Sequence, residues 1–307
     1  MTFQFDQFAS AIRAGGAITA RDTLSLRQGV WGDGILSQSD AQALFELNSG
    51  AQSKDPEWIA FFTEALCDYV INGTDPKGYI SEKDALWVIE GVDSDGRVES
   101  AAELELLVRL SERAVELPNV LKFYTLEQIE RNIISGEGPT RDGDSTPNSV
   151  TAAEAALLRR LVFASGGITS LHVSREEADM LFRIKDACLD SENAPEWEKL
   201  FVQGVANHLQ SFAAYAPLTR DRAQQLEGFM RNTSPSIGRF FGRMAQLDLQ
   251  AGFAEIFRPE APGRDIEGEA NTATEVTLAE KGWLDAKLAE RVGIDRYEAA
   301  LMDFVAG

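Results

Sequence analysis

A serine or threonine followed three residues later by an acid or amide recurs along this chain at helix-length intervals. The pairs are Thr19/Asp22, Ser37/Asp40, Ser81/Asp84, Ser100/Glu103, Thr125/Gln128, Thr151/Glu154, Ser174/Glu177 and Thr277/Glu280. Each has the form of a capping box, in which the hydroxyl accepts from the third helical amide and that residue's side chain returns to the cap's own amide. An acid in the first turn also complements the helix dipole. Asp55-Pro56-Glu57-Trp58 adds a start with proline at the first helical position, where a missing N–H is harmless. Between starts the apolar residues follow helical spacing, as in Ala41, Leu44, Phe45 and Leu47, or Leu104, Leu107, Val108 and Leu110. Alternating β-branched runs with hairpin dipeptides are almost absent. The expectation is an all-α protein with no significant β-sheet.

The starts also recur in matching order. Thr19…Asp22…Leu26-Arg27…Val30-Trp31 parallels Thr151…Glu154…Leu158-Arg159…Val162-Phe163 at an offset of 132. Ser37…Asp40-Ala41…Leu44-Phe45 parallels Ser174…Glu177-Ala178…Leu181-Phe182 at 137, and Pro56-Glu57-Trp58…Phe62 parallels Pro195-Glu196-Trp197…Phe201 at 139. Ser81…Asp84…Trp87…Glu103…Leu106 parallels Thr277…Glu280…Trp283…Glu298…Leu301 at 195–196. Offsets that only increase are what loop insertions into a second copy require. The expected organisation is two tandem homologous helical bundles. An N-terminal helix (1–16, with Phe5, Phe8 and Ile12 at helical spacing) precedes domain 1 (17–135). A flexible Gly/Pro-rich linker (136–149) leads to domain 2 (150–307), which carries an insertion of about 210–276. Within that insertion a helical stretch is expected near Ser236–Phe257, followed by an acidic loop, Arg258–Thr272.

Composition narrows the partners. The 307 residues include 49 Asp+Glu against 29 Lys+Arg, a formal charge of -20. Nucleic-acid backbones and anionic membrane surfaces both select clustered Lys and Arg, so neither is an expected partner. No window approaches 18 consecutive apolar residues, so no direct membrane insertion is expected. Met-Thr-Phe-Gln-Phe-Asp at the N-terminus lacks the basic and apolar regions of a signal peptide. Cys67 and Cys188 sit among apolar residues, as buried thiols of a cytoplasmic protein do. The histidines, His172 and His208, are isolated, and no CxxC or HExxH spacing suggests zinc.

Three turns repeat a glycine, an aliphatic residue and a capped helix: Gly34-Ile-Leu-Ser-Gln-Ser-Asp40, Gly78-Tyr-Ile-Ser-Glu-Lys-Asp84 and, more loosely, Asp95-Gly96-Arg-Val-Glu-Ser-Ala-Ala-Glu103. They match the second half of an EF-hand loop, in which oxygen ligands surround a divalent cation such as Ca2+. Candidate ligands are Asp33 and Asp40 in the first, Asp75 and Asp84 in the second, and Asp93, Asp95, Glu99 and Glu103 in the third, which has the most acids. Each loop is incomplete. The first has Gly29 and Trp31 at ligand positions, the second places Lys77 in the cage, and the third has Gly91 and Ala102 where acids belong. A purely structural account also covers these residues, with glycine in a left-handed turn, the aliphatic residue in the core and the Ser/acid pair as cap.

Asp33-Gly34-Ile-Leu-Ser-Gln-Ser-Asp40 and Asp95-Gly96-Arg-Val…Glu103 resemble the Asp-Gly turns of the TerB-like (tellurite-resistance) family, which shade into degenerate EF-hands; the segment 279–302 is similar in style. The resemblance implies compact helical domains whose acidic residues bind metal, in bacterial stress and membrane-associated proteins.

Signals for catalysis are absent or weak. There is no phosphate-binding loop, and Gly136-Glu-Gly138 precedes a proline in the linker. There is no GxSxG elbow. Cys67 has no sequence-local histidine, and His208 occupies the position of Tyr69 in the first copy, which suits packing. Trp58 and Trp197, like Trp87 and Trp283, read as core anchors, and Arg239-Phe-Phe-Gly-Arg-Met244 is the one basic–aromatic stretch. The leading expectation is a non-enzymatic acidic module that binds a partner protein, with divalent metal as a modulator. A TerB-like metal-binding stress protein is the alternative. A carboxylate-based enzyme, which needs a cleft with two acids of divergent pKa, and a DNA mimic rank lower.

Overall fold

The computed structural model describes residues 16–31, 36–73, 76–93, 96–141, 146–164, 172–211, 278–289 and 293–306. The expected N-terminal helix, almost all of the 210–276 insertion, the 239–244 stretch, Thr277 and the acids Asp33, Asp75 and Asp95 lie outside the described residues. The described chain is built of helices: α1 (Ala20–Val30), α2 (Gln38–Gly50), α3 (Pro56–Asn72), α4 (Glu82–Val92), α5 (Ala101–Arg113), α6 (Asn119–Ser135), α7 (Ala152–Val162), α8 (Arg175–Cys188), α9 (Pro195–Ser211), α10 (Leu278–Ala289) and α11 (Arg296–Ala306). Two dipeptides, β1 (Ala17–Ile18) and β2 (Ser53–Lys54), pair in parallel. None of the described helices is long and apolar enough to cross a membrane.

Most helices start where the cap pairs predict. Thr19/Asp22, Ser37/Asp40, Ser81/Asp84 and Ser100/Glu103 close full capping boxes, as does Ser174/Glu177. Thr151 and Glu154 exchange the same bonds at 3.2 and 2.9 Å. Thr125/Gln128 is the exception. Thr125 lies inside α6, which begins after Pro118, and its hydroxyl donates to the Leu121 carbonyl one turn back at 2.8 Å. Gln128 instead reaches across to another loop, where Oε1 accepts from Val98 N at 3.2 Å.

The chain divides into two compact units, Met1–Ser149 with Ala156–Ser170, and Val150–Ala155 with Leu171–Gly307. In the first unit α3 is apolar on nearly every face. Trp58, Phe61, Phe62, Leu66 and Val70 are all buried, as a helix at the centre of a bundle requires, and its most extensive partner is α5. In the second unit α9 buries Trp197, Leu200, Phe201 and Val205 and packs on α11 and α8.

The two units share an internal contact pattern. Phe45 meets Phe62 and Trp87 edge-on at 5.6 and 5.4 Å; Phe182 meets Phe201 and Trp283 edge-on at 5.2 and 5.5 Å. Tyr69 lies against Trp87 at 5.6 Å, and His208 against Trp283 at 4.8 Å. Asp55 N donates to Ile18 O at 3.0 Å; Ala194 N donates to Val150 O at 2.9 Å. Edge-to-face pairs of this kind add about 0.5–1.5 kcal/mol each beyond area burial.

From Ala156 onward α7 groups with the first unit, where Arg160 forks between Glu105 and Glu112 on α5 at 2.7–3.1 Å. Within residues 136–149, the described stretches 136–141 and 146–149 carry hydrogen bonds to the end of α6 and to each other. The Arg141 guanidinium is buried and donates to the carbonyls of Ile133, Thr146 and Ser149, while Gly136 N closes α6 on Asn132 O. A polar, glycine-rich segment need not be loose when one buried cation collects its carbonyls.

Candidate functional site

Four of the five described acids among the metal candidates are committed within the fold. Asp40 and Asp84 each accept from the serine of their own box through Oδ2, at 2.5 and 2.6 Å. Asp93 is built into the turn before α5, where Oδ1 accepts from Gly96 N and Oδ2 from the Tyr124 hydroxyl at 3.1 Å. Burial first, and then the Asp93 carboxylate, push the Tyr124 phenol above its usual range, so it remains the donor. Gly96 and Gly78 take φ of +85° and +92°, the left-handed conformation expected of glycine in these turns. Gln128 and Arg131 on α6 donate to Gly96 O and clamp the turn.

Glu103 is buried, with Oε2 accepting from Ser100 N at 3.0 Å and Oε1 from Asn48 Nδ2 at 2.6 Å. Glu99 is exposed. Among the described residues no group of three or more His, Cys, Asp or Glu side chains is placed to hold a metal ion. Both carboxylate oxygens of Asp93 and of Glu103 carry hydrogen bonds already, so the described part of the third turn does not present a Ca2+ cage.

What the sequence analysis missed is a pair of buried polar centres, one in each unit. In the first, Asn48 on α2 works in both directions. Its amide donates to Glu103 and to Ser100 Oγ at 3.0 Å, while its Oδ1 accepts from the Trp58 indole at 2.9 Å. Lys54, in β2, donates to Ala51 O at 3.0 Å. Burial pulls the Lys54 ammonium down, and the charges of Glu103 and Glu99 work against that. Burial also raises Glu103, against the pull of Ser100, Asn48 and Lys54.

The second unit arranges the same elements with cation and amide exchanged. Lys185, three residues after Phe182 as Asn48 is after Phe45, contacts Glu298 at 2.5 Å, Asp295 at 2.8 Å and Asp186 at 3.0 Å. Asn193, two residues before Pro195 as Lys54 is before Pro56, accepts from Val150 N at 2.7 Å and donates to Cys188 O and the Tyr297 hydroxyl. Asp295 and Glu298 close a cap at the start of α11, which escaped a search for hydroxyl residues because the cap is itself an acid. Lysine has no acceptor to offer, and the buried Trp197 Nε1 has no hydrogen-bond partner among the described residues.

These centres hold helices together. Neither Glu103 nor Lys185 lines the hollow found at the surface of the first unit, which has a volume of about 370 Å³ and is bordered by Tyr79, Ile80, Glu82, Glu116 and Pro118. Cys67 and Cys188 are buried thiols, and burial pushes Cys67 up to about 11, away from nucleophilic chemistry at neutral pH. Comparison with known protein families, characterised proteins and solved structures returns no match.

Proposed function

We propose that the chain is a non-enzymatic, acidic helical module of the cytoplasm that binds a partner protein of basic character. One observation carries the reading. The buried carboxylates Glu103, Glu154, Glu177 and Glu298 each close a helix cap, while the chain carries a formal charge of -20. A net charge of this size steers and selects oppositely charged partners and repels nucleic acid.

In the metal-tuned form of the proposal, carried by the Asp-Gly turn sequences, the third turn, with Asp93, Asp95, Glu99 and Glu103, would hold a divalent cation such as Ca2+. The test is affinity capture from native lysate on the immobilised full chain, at low and high salt, with and without chelator, paired with a calorimetric Ca2+ titration. Saturable capture that survives chelation and weakens with salt is expected. Capture lost on chelation, together with stoichiometric Ca2+ heat, would transfer the reading to the metal-tuned form. No saturable, salt-sensitive capture would overturn both.

A further inference from the structure

In the first unit, the segment before α4 and the segment between α5 and α6 run side by side. Ile80 N donates to Glu116 O at 3.2 Å, Val115 N donates to Gly78 O at 2.7 Å, and Tyr79 and Glu116 form an isolated parallel bridge. The pair is braced at both ends by Gly78 N on Ile71 O at 2.8 Å and Leu121 N on Pro118 O at 3.0 Å. Together they border the hollow, where Tyr79 is 38% exposed; Val115 and Val120, the latter in the first turn of α6, are exposed nearby in sequence but do not line it. The charged side chains lining the hollow are Glu82, Asp84 and Glu116; Lys77 and Lys83 are exposed nearby in sequence but do not line it. Asp84 is tied to Ser81, leaving Glu82 and Glu116 to face a ligand.

We infer that this hollow is the docking point for an arginine side chain in a short basic segment of the partner protein, stacked on Tyr79 between Glu82 and Glu116. The inference rests on the binding-module reading and names its surface. The chemistry singles out arginine. A guanidinium is flat, weakly hydrated and always charged. It stacks on an aromatic face while its N–H fork pairs with carboxylates, and its aliphatic stem covers apolar surface. Lysine offers a compact, strongly hydrated charge and gains less from the ring. The volume sits at the low end of ligand pockets, which run roughly 300–1,000 Å³, and so suits one or two side chains better than a whole cofactor. The proline-flanked, bridged backbone is already ordered, which limits the entropy lost on docking.

The test uses the full chain and three octapeptides in which serine alternates with arginine, with lysine or with glutamate. Binding is followed by calorimetry and by amide shifts in two-dimensional NMR. The arginine peptide is expected to bind at least fivefold more tightly than the lysine peptide, with shifts concentrated in residues 76–84 and 114–120, and the glutamate peptide not at all. Tyr79→Ser should erase the arginine preference, and Glu82→Gln with Glu116→Gln should weaken both cationic peptides about tenfold, with circular dichroism unchanged. Equal binding of arginine and lysine peptides, shifts spread evenly over the acidic surface, or no binding overturns the inference. So does concentration-dependent sedimentation of the chain that Tyr79→Ser abolishes, which would make the occupant a second copy. If lysate capture persists unchanged with Tyr79→Ser and Glu116→Gln combined, the binding-module reading stands and this surface is wrong. If capture fails on the unaltered chain, both fall.

Discussion

The polar centre of the first unit is built on an amide and that of the second on an ammonium, and the difference changes what each can tolerate. Asn48 both donates and accepts, so Glu103 and Trp58 are satisfied by one neutral side chain. Lys185, only 1% exposed, gathers Asp186, Asp295 and Glu298, and the Trp197 indole finds no acceptor among the described residues. Neutral hydrogen bonding spreads its value over several modest bonds of about 1 kcal/mol each. A buried charge cluster concentrates its value, because removing one partner strands the others in a medium that solvates them poorly.

The largest expected effect follows directly. Lys185→Met should cost about 3–5 kcal/mol, since it strands Glu298 and Asp295, whereas Lys54→Met in the first unit should cost under about 1 kcal/mol, the range of a partly exposed pair. Urea denaturation of both variants measures this. Equal losses would show that the two lysines play the same part and would break the comparison.

Next in size is Asn48→Ala, which leaves the Trp58 indole and Glu103 Oε1 without their partner and should cost about 1–3 kcal/mol. The converse change, Lys185→Asn combined with Asn193→Lys, gives Trp197 an acceptor. Its indole proton should then move downfield in NMR towards that of Trp58. An unmoved resonance would mean that the two sites are not interchangeable.

The smallest effect is one of direction with pH. Burial raises Glu103 above the ordinary carboxylate range. Its contribution to folding is therefore complete below about pH 4.5, the ordinary value, and is lost as pH rises through the raised one. Asp295 runs the opposite way. Burial works against its charge, but Lys185 and the amides of Glu298 and Tyr297 outweigh burial and lower its pKa. Its contribution is present above about pH 3.8 and is lost as pH falls through the lowered value. Mild acidification should therefore strengthen hydrogen-exchange protection in α3 relative to α9, and stronger acid should weaken α9. Glu103→Gln should remove the first trend and Asp295→Asn the second.

What could be read in advance was what the chain decides locally. A cap spans three residues, so Ser37/Asp40 and Ser174/Glu177 could be located from sequence, and proline at position 56 marked the start of α3. The same rule failed at Thr125. A threonine inside a helix satisfies its hydroxyl on the preceding turn, and the following Gln128 was there to hold a distant loop. The buried centres were illegible because their bonds cross long stretches of chain. Asn48 reaches Glu103 from 55 residues away, and Lys185 reaches Glu298 from 113. Composition also gave no sign of the buried Arg141, whose bonds reach the carbonyls of Ile133, Thr146 and Ser149. Among the described metal candidates, residue type did not reveal that Asp40, Asp84 and Glu103 also close helix caps.

With Trp31, Trp87 and Trp283 replaced by phenylalanine, the indole of Trp197, without a hydrogen-bond partner among the described residues, and the bonded indole of Trp58 give the molecule two optical reporters in like surroundings. A hydrogen-bonded indole emits at longer wavelength than a bare one, so emission from the two units should separate without any dye. The protein could then announce, by colour alone, which of its units has opened first.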